Sequence, residues 1–239
     1  MGAISALKGY RTQFLYSLYR ILSNHNEEYI FKVEGKYEDL DILDSSYKYI
    51  ETIQIKNKGE TLSFSDMFSK KDSFFKRAEE LVLQDPDVIV KIVSFNKISD
   101  DLTDKEKLNK KLQKKGFKKV NIDKTLTSYC SPEIVDEETL VNKIISIIKS
   151  YNIFTNPEIA LELLLFWIYK SGENQKEIRT KNLFEDLNKI GKFLSEQSSF
   201  NNQFGNSIIP LSIKSLKNED TNLLHKGFYY GVSAKFEHI

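Results

Sequence analysis

A mixed α/β fold, one sheet layered by helices, is what this chain predicts, and three observations carry the prediction. An amphipathic helical stretch opens it, three short β-branched or aromatic runs follow, and a second helical stretch then leads into a continuous apolar run. The 239 residues hold Lys+Arg 35 against Asp+Glu 34, a net charge of +1, with 40% hydrophobic and 29% charged residues, which excludes disordered, collagenous and coiled-coil classes. Sixteen Phe and twelve Tyr are enough bulk for a sizeable core without staples. The single cysteine, Cys130, rules out an internal disulfide and a cysteine-based zinc site and suits a reducing cytosol. No secretory signal and no 18-residue apolar run is visible, so the expected setting is cytoplasmic, with no membrane partner. With almost no net charge, nucleic-acid binding has to come from local patches.

Element by element, Ile4 to Leu22 spaces Leu7, Tyr10, Phe14, Leu15, Leu18, Ile21 and Leu22 by threes and fours, which predicts a helix with one buried face. Tyr29 to Glu34, Asp39 to Leu43 and Tyr49 to Lys56 are strand-like runs separated by Gly35-Lys36 and Asp44-Ser45-Ser46, hence a meander. Ser63 to Leu83 returns to helical spacing. Asp85-Pro86-Asp87 ends it, and Val88 to Phe95 reads as a buried fourth strand. Asp104 to Lys119 carries eight lysines and predicts a charged helix and loop, with a short strand near Thr125 to Tyr129. Helices over Glu137–Ser150, Pro157–Ser171 and Lys181–Ser195 follow, with Asp136, Asn156 and Thr180 as N-caps. The organisation is therefore a core over 1–130, a helical extension of the same domain over 131–200, and a linker or the start of a following domain over 201–239.

Chemistry-bearing residues concentrate in the meander. Period-two alternation places Asp39 and Asp41 on one face of the second strand, opposite Leu40 and Ile42. It likewise places Gln54 and Lys56 together on the third, opposite Ile53 and Ile55. With Glu34 ending the first strand, hard oxygen donors and a lysine converge, a set suited to Mg²⁺ or Mn²⁺ and to charge on a phosphate. The alternative is a solvated sheet face with cross-strand ion pairs such as Asp41 with Lys56. No GxxxxGK[ST] or GxGxxG is present.

In that order, helix, three-strand meander, helix, strand, the chain resembles the PD-(D/E)xK, or restriction-endonuclease-like, nucleases. Gly9-Tyr10-x-x-Gln13, Glu34-x-x-x-Glu38-Asp39-Leu40 and Gln54-x-Lys56-Asn57 together resemble the N-terminal nuclease domain of bacterial antiphage effectors. These are the double-stranded-DNA endonucleases of cyclic-oligonucleotide (CBASS) and NTPase-linked defence systems, in which the last carboxylate position is often glutamine. The resemblance covers roughly Ile4 to Phe95 by motif and, more loosely, the helices to Phe200. It implies Asp39 as principal metal ligand, Gln54 with the Ile55 carbonyl as second ligand set, Lys56 as catalytic lysine and Glu34 as accessory acid. Asp41, on the face of Asp39, competes with it for the ligand role. It further implies metal-dependent cleavage of DNA with little sequence specificity, activation by homo-oligomerisation, and a sensor or NTPase domain covalently downstream.

Lys58, Lys110, Lys111, Lys114 and Lys115 are the candidate phosphate contacts, since lysines beside a duplex replace condensed counterions; a solvated helix face is the other reading of the stretch. The three histidines, His25, His225 and His238, read as surface residues, and Cys130 as a packed thiol. From a different functional class, a non-catalytic nucleic-acid-binding or self-association module would use the same sheet without its chemistry.

Overall fold

Helix α1 (Gly2–Leu22) forms on the predicted apolar stripe, and Leu15, Leu18, Ile21 and Leu22 are buried against the sheet and its neighbouring helices. The computed structural model describes residues 8–24, 26, 28–68, 73–118 and 132–192, and the backbone alone of 2–7, 130 and 131. Strands β1 (Ile30–Val33), β2 (Leu40–Leu43) and β3 (Tyr49–Lys56) make the expected antiparallel meander, with Val33 opposite Leu40 and Leu40 opposite Ile53. Strand β4 (Ile89–Ser94) pairs with β3 in parallel, as the helical crossover between them requires. Two strands were not anticipated: β5 (Cys130–Ile134), parallel to β4, and the two-residue β6 (Ile178–Arg179), antiparallel to β1. The result is a six-stranded open mixed sheet of order β5-β4-β3-β2-β1-β6.

Each face of the sheet has its own cover. Along β4, Val90 and Ile92 enter an apolar cluster with Phe74, Phe75, Ala78, Leu81 and Val82 of the next long helix, together with Leu108 and Leu112. The intervening Lys91 points to the other face, which α1 covers. Behind α1 lie α6 (Glu137–Tyr151) and α7 (Pro157–Glu173), whose Asp136 and Asn156 caps accept from Thr139 N (2.8 Å) and Ile159 N (3.0 Å). Both caps are as predicted, and the helices belong with the core to one compact unit, residues 1–191. A further helical run covers 180–192.

The single helix expected over Ser63–Leu83 is two: a short turn α2 (Phe64–Met67) and α3 (Phe74–Gln84), which starts after the N-cap residue Ser73. The apolar spacing is continuous enough to suggest one helix, but Phe68 and Ser73 both take extended backbone, so the first turn ends and the second helix starts afresh. Downstream, α4 (Asp100–Thr103) leads into the lysine-rich α5 (Lys105–Lys114), capped by Asp104. The strand expected over Thr125–Tyr129, His25 and the segment 201–239 with His225 and His238 lie outside the described residues, as does the Cys130 side chain. Among the described residues no helix is long and apolar enough to cross a membrane.

Candidate active site

Strands β2 and β3 part company beyond the Leu40–Ile53 pair, whereas β3 stays paired with β4 as far as Lys56 and Ser94. That fork strips the β2-facing edge of β3 of its partner, and an unpaired N–H there needs an acceptor. Asp39 supplies it. Its Oδ2 accepts from Ile55 N (2.6 Å) and from Gln54 Nε2, and the carboxylate takes a further side-chain hydrogen bond from Gln13 of α1. The Lys56 carbonyl accepts from Phe95 N on the β4 side (3.0 Å), so strand alternation turns the Ile55 carbonyl toward Asp39.

Burial raises the Asp39 carboxyl above its ordinary range, against the opposing pull of Lys56 and the donated hydrogen bonds. Glu34, just past β1 and in a left-handed backbone conformation (φ 51°), is likewise raised, first by burial and then by the nearby Asp39 charge. Lys56 opposes that rise, so the ammonium lies within electrostatic reach of both carboxylates, yet it makes no ion pair among the described residues. The arrangement brings Asp39, Gln54 and Lys56 together, as the alternation of the meander predicts, with the Ile55 backbone and the Glu34 carboxylate beside them.

Asp41 does not join them. It is fully buried, and its oxygens accept from Tyr37 N (3.0 Å) and Glu38 N (3.3 Å), fastening the β1–β2 connection. Burial pushes its carboxyl up to about 6. A Cβ on Gly35 would collide with this carboxylate, so the glycine is required by close approach. The cross-strand pair of Asp41 with Lys56 is not formed among the described residues either.

Two further side chains belong to the site. Gln13 is one, its place on the α1 motif being its only signal in the sequence. Arg77 of α3 is the other, and nothing in the sequence marks it: its guanidinium donates to both oxygens of the buried Glu38 (2.9 Å each) and lies 3.5 Å from Gln54 Oε1. Burial pushes the Glu38 carboxyl up to about 7 even beside Arg77.

A cleft of about 480 Å³ opens next to the fork, lined by Tyr10, Gln13, Ile55, Lys56, Asn57 and Lys58 among others. The buried Asn57 Nδ2 in its wall has no hydrogen-bond acceptor among the described residues. A second cleft, about 650 Å³ and mostly apolar in surface, shares Tyr10 with the first and is walled by Glu34, Phe14 and Leu165 among others. Of the candidate phosphate contacts, only Lys58 reaches the first cleft, and it is paired there with Asp66 (2.8 Å). Lys111 pairs with Asp101 and lies over Phe64, and Lys115 lies over Phe68 (5.0 Å). Lys110 and Lys114 are exposed without an ion pair among the described residues.

Among the described residues no three His, Cys, Asp or Glu side chains cluster as a ready cation site. The fork does present two carboxylates, Asp39 and Glu34, in electrostatic reach of each other, with the Ile55 backbone against Asp39. This donor set fits a Mg²⁺ or Mn²⁺ ion, which takes one or two carboxylates and completes its shell with water and phosphate. Gln54 departs from the expected ligand role, because its oxygen faces Arg77 and its N–H₂ faces Asp39. Compared with protein-family models, curated proteins and solved structures, the chain matches none.

Proposed function

We propose that this chain is a metal-dependent endonuclease of the PD-(D/E)xK, restriction-endonuclease-like class, hydrolysing DNA phosphodiester bonds with little sequence specificity as the effector of a bacterial antiphage defence protein. The observation that carries the reading is the fork: an acidic residue at the parting of β2 and β3 faces a lysine on the unpaired end of β3. This happens in a chain whose elements run helix, antiparallel meander, helix, parallel strand. Asp39, Glu34 and the Ile55 carbonyl would hold Mg²⁺ or Mn²⁺, which when bound supplies Lewis acidity to the scissile phosphate. Lys56 places a positive charge where the non-bridging oxygens gain negative charge as water adds to phosphorus. The attacking water gives up a proton to solvent, the P–O bond to the leaving sugar oxygen breaks, and that oxygen takes up a proton from solvent. Asn57, whose buried Nδ2 in the cleft wall has no acceptor among the described residues, is suited to a phosphate oxygen. Activation by gathering of nuclease units, and a sensor or NTPase domain downstream, belong to the same reading on the strength of the motif resemblance alone.

One observation favours a non-catalytic nucleic-acid-binding module instead: the Asp39 carboxylate is already engaged by Ile55, Gln54 and Gln13. Plasmid and linear duplex cleavage by the full chain, with Mg²⁺, Mn²⁺ or EDTA and over a range of protein concentration, separates the two. The nuclease cuts only with metal and loses about a hundredfold or more in rate in Lys56→Ala. A folded protein that binds duplex equally well in EDTA and never cuts it is the binding module.

A further inference from the structure

The Glu38–Arg77 pair is an expensive thing to place beside a working carboxylate. The Glu38 side chain is 2% exposed and that of Arg77 25%, and taking two charges out of water costs several kcal/mol per ion, a cost that their attraction only partly offsets. Such a pair is weak evidence of stabilisation, and its geometry offers another use. Arg77 Nε and Nη2 each donate to a different Glu38 oxygen at 2.9 Å, so the fork is held flat and cannot swing. Its Nη2 then faces Gln54 Oε1 at 3.5 Å. That contact is long for a hydrogen bond, but the opposite orientation of the carboxamide would set N–H₂ against guanidinium N–H, donor to donor, with no acceptor between them. With the oxygen toward Arg77, the Gln54 N–H₂ falls on Asp39 Oδ2.

We propose that Arg77 is a positioning residue for this site: anchored on Glu38, it fixes the Gln54 carboxamide oxygen-outward, so that Gln54 serves as a hydrogen-bond donor aligning Asp39 and not as a cation ligand. The functional consequence rests on the nuclease reading; the orientation does not. It gives position 54 a reason to be an amide, since only an amide can accept from Arg77 with one end and donate to Asp39 with the other. A glutamate there could take the first contact but, when ionised, not make the second.

Two measurements on the full chain test this. In ¹H–¹⁵N spectra the Gln54 side-chain amide is identified by its disappearance in Gln54→Glu. In the wild type one of its two protons should lie well downfield of a free glutamine, and Arg77→Lys, which keeps the charge but loses the fork, should collapse the pair toward free values. An amide already at free values, or one unmoved by Arg77→Lys, overturns the proposal. If Arg77→Lys melts too early to use, Glu38→Gln loosens the same anchor and should have the same effect.

The second measurement is Mn²⁺ affinity. Arg77→Lys should weaken it about 10- to 100-fold, in the range of outer-shell partners of a metal ligand. In a Gln54→Met background the same substitution should change it little, because the route from Arg77 to Asp39 is already gone. A loss that persists undiminished in that background means Arg77 acts through Glu38 and the fold alone, and the proposal fails. A wild-type chain that binds no Mn²⁺ counts against the nuclease reading, while the amide spectrum still decides the role of Arg77.

Discussion

Asp39 and Asp41 stand two residues apart at the start of β2 and share a face of the sheet, yet the structure gives them opposite employment. Asp41 is wholly enclosed and faces backbone amides of its own β1–β2 connection. Asp39 is only half-buried and bridges to a different strand and a different helix, through Ile55 and Gln13, both of which line a cleft with Lys56 in its wall. Strand alternation decides which face a carboxylate joins; the donors that reach it decide what it is for. A carboxylate whose acceptors are consumed by its own turn is a structural clamp, while one held by donors from another strand and a helix, beside a cleft those donors line, is placed to meet a ligand.

The sharpest way to test the contrast is to delete each carboxylate in turn. On the nuclease reading, Asp39→Asn, which removes the charge but keeps an oxygen for Ile55 N, should cost about a thousandfold in cleavage rate, in the range of lost electrostatic stabilisation at a reacting centre, while leaving the thermal transition near its place. Asp41→Ala strands two buried amides and should lose about 2–3 kcal/mol of stability in denaturant melts, with the folded fraction still cutting DNA. The contrast breaks if Asp41→Ala abolishes cleavage by protein shown to be folded. A smaller effect is expected of Gly35→Ala: the added methyl meets the Asp41 carboxylate, and overpacking of this kind costs about 1–3 kcal/mol. The same substitution in an Asp41→Ala background should be close to neutral.

The smallest effect is one of pH. Because burial holds the Asp41 carboxyl at about 6, the native state binds a proton there that the unfolded chain releases near its ordinary range. Its contribution to stability is therefore fully present below the unfolded value and is lost as pH rises through about 6. Asp41→Asn should flatten the fall in stability between about pH 4 and 6 in urea titrations. An unchanged slope across that window would mean that the turn amides hold the carboxylate ionised.

Much of this was legible in the residues. The order of the elements, the antiparallel meander and the meeting of Asp39, Gln54 and Lys56 follow from period-two alternation and turn residues, which are local properties of the chain. What alternation cannot convey is partnership across distance. The fate of Asp41 depends on how the Gly35–Glu38 connection folds back over it. Arg77 sits 23 residues beyond Gln54 on a helix whose arginine looks like any solvated charge. Strand β5 starts at Cys130, directly after the stretch where a short strand is expected, and holds Pro132; at a sheet edge a proline costs no ladder partner, so the segment pairs with β4 regardless. The lysines of α5 advertised a phosphate-binding face, but Lys107 and Lys111 have acidic partners in Asp100 and Asp101, too far upstream for helix spacing to reveal.

The charged layer beneath α1 bears on how the helix is set. Tyr16 donates to Glu133 (2.9 Å), Arg20 grips Glu51 with both guanidinium arms, and Lys91 bridges Glu133 (2.8 Å) and Glu51 (3.7 Å), so one helix is tied to three strands. Gln13, Tyr16 and Arg20 follow one another at three and four residues and so lie along a single stripe. Oily contacts would hold α1 down equally well but are indifferent to its rolling, whereas directional bonds at two points of the stripe fix its angular phase. At a side-chain radius of about 5–6 Å, a roll of about 20° would carry the Gln13 amide about 2 Å from Asp39. The ionic layer thus works as a keyway: it clocks the helix so that a glutamine one turn away arrives at the fork in register.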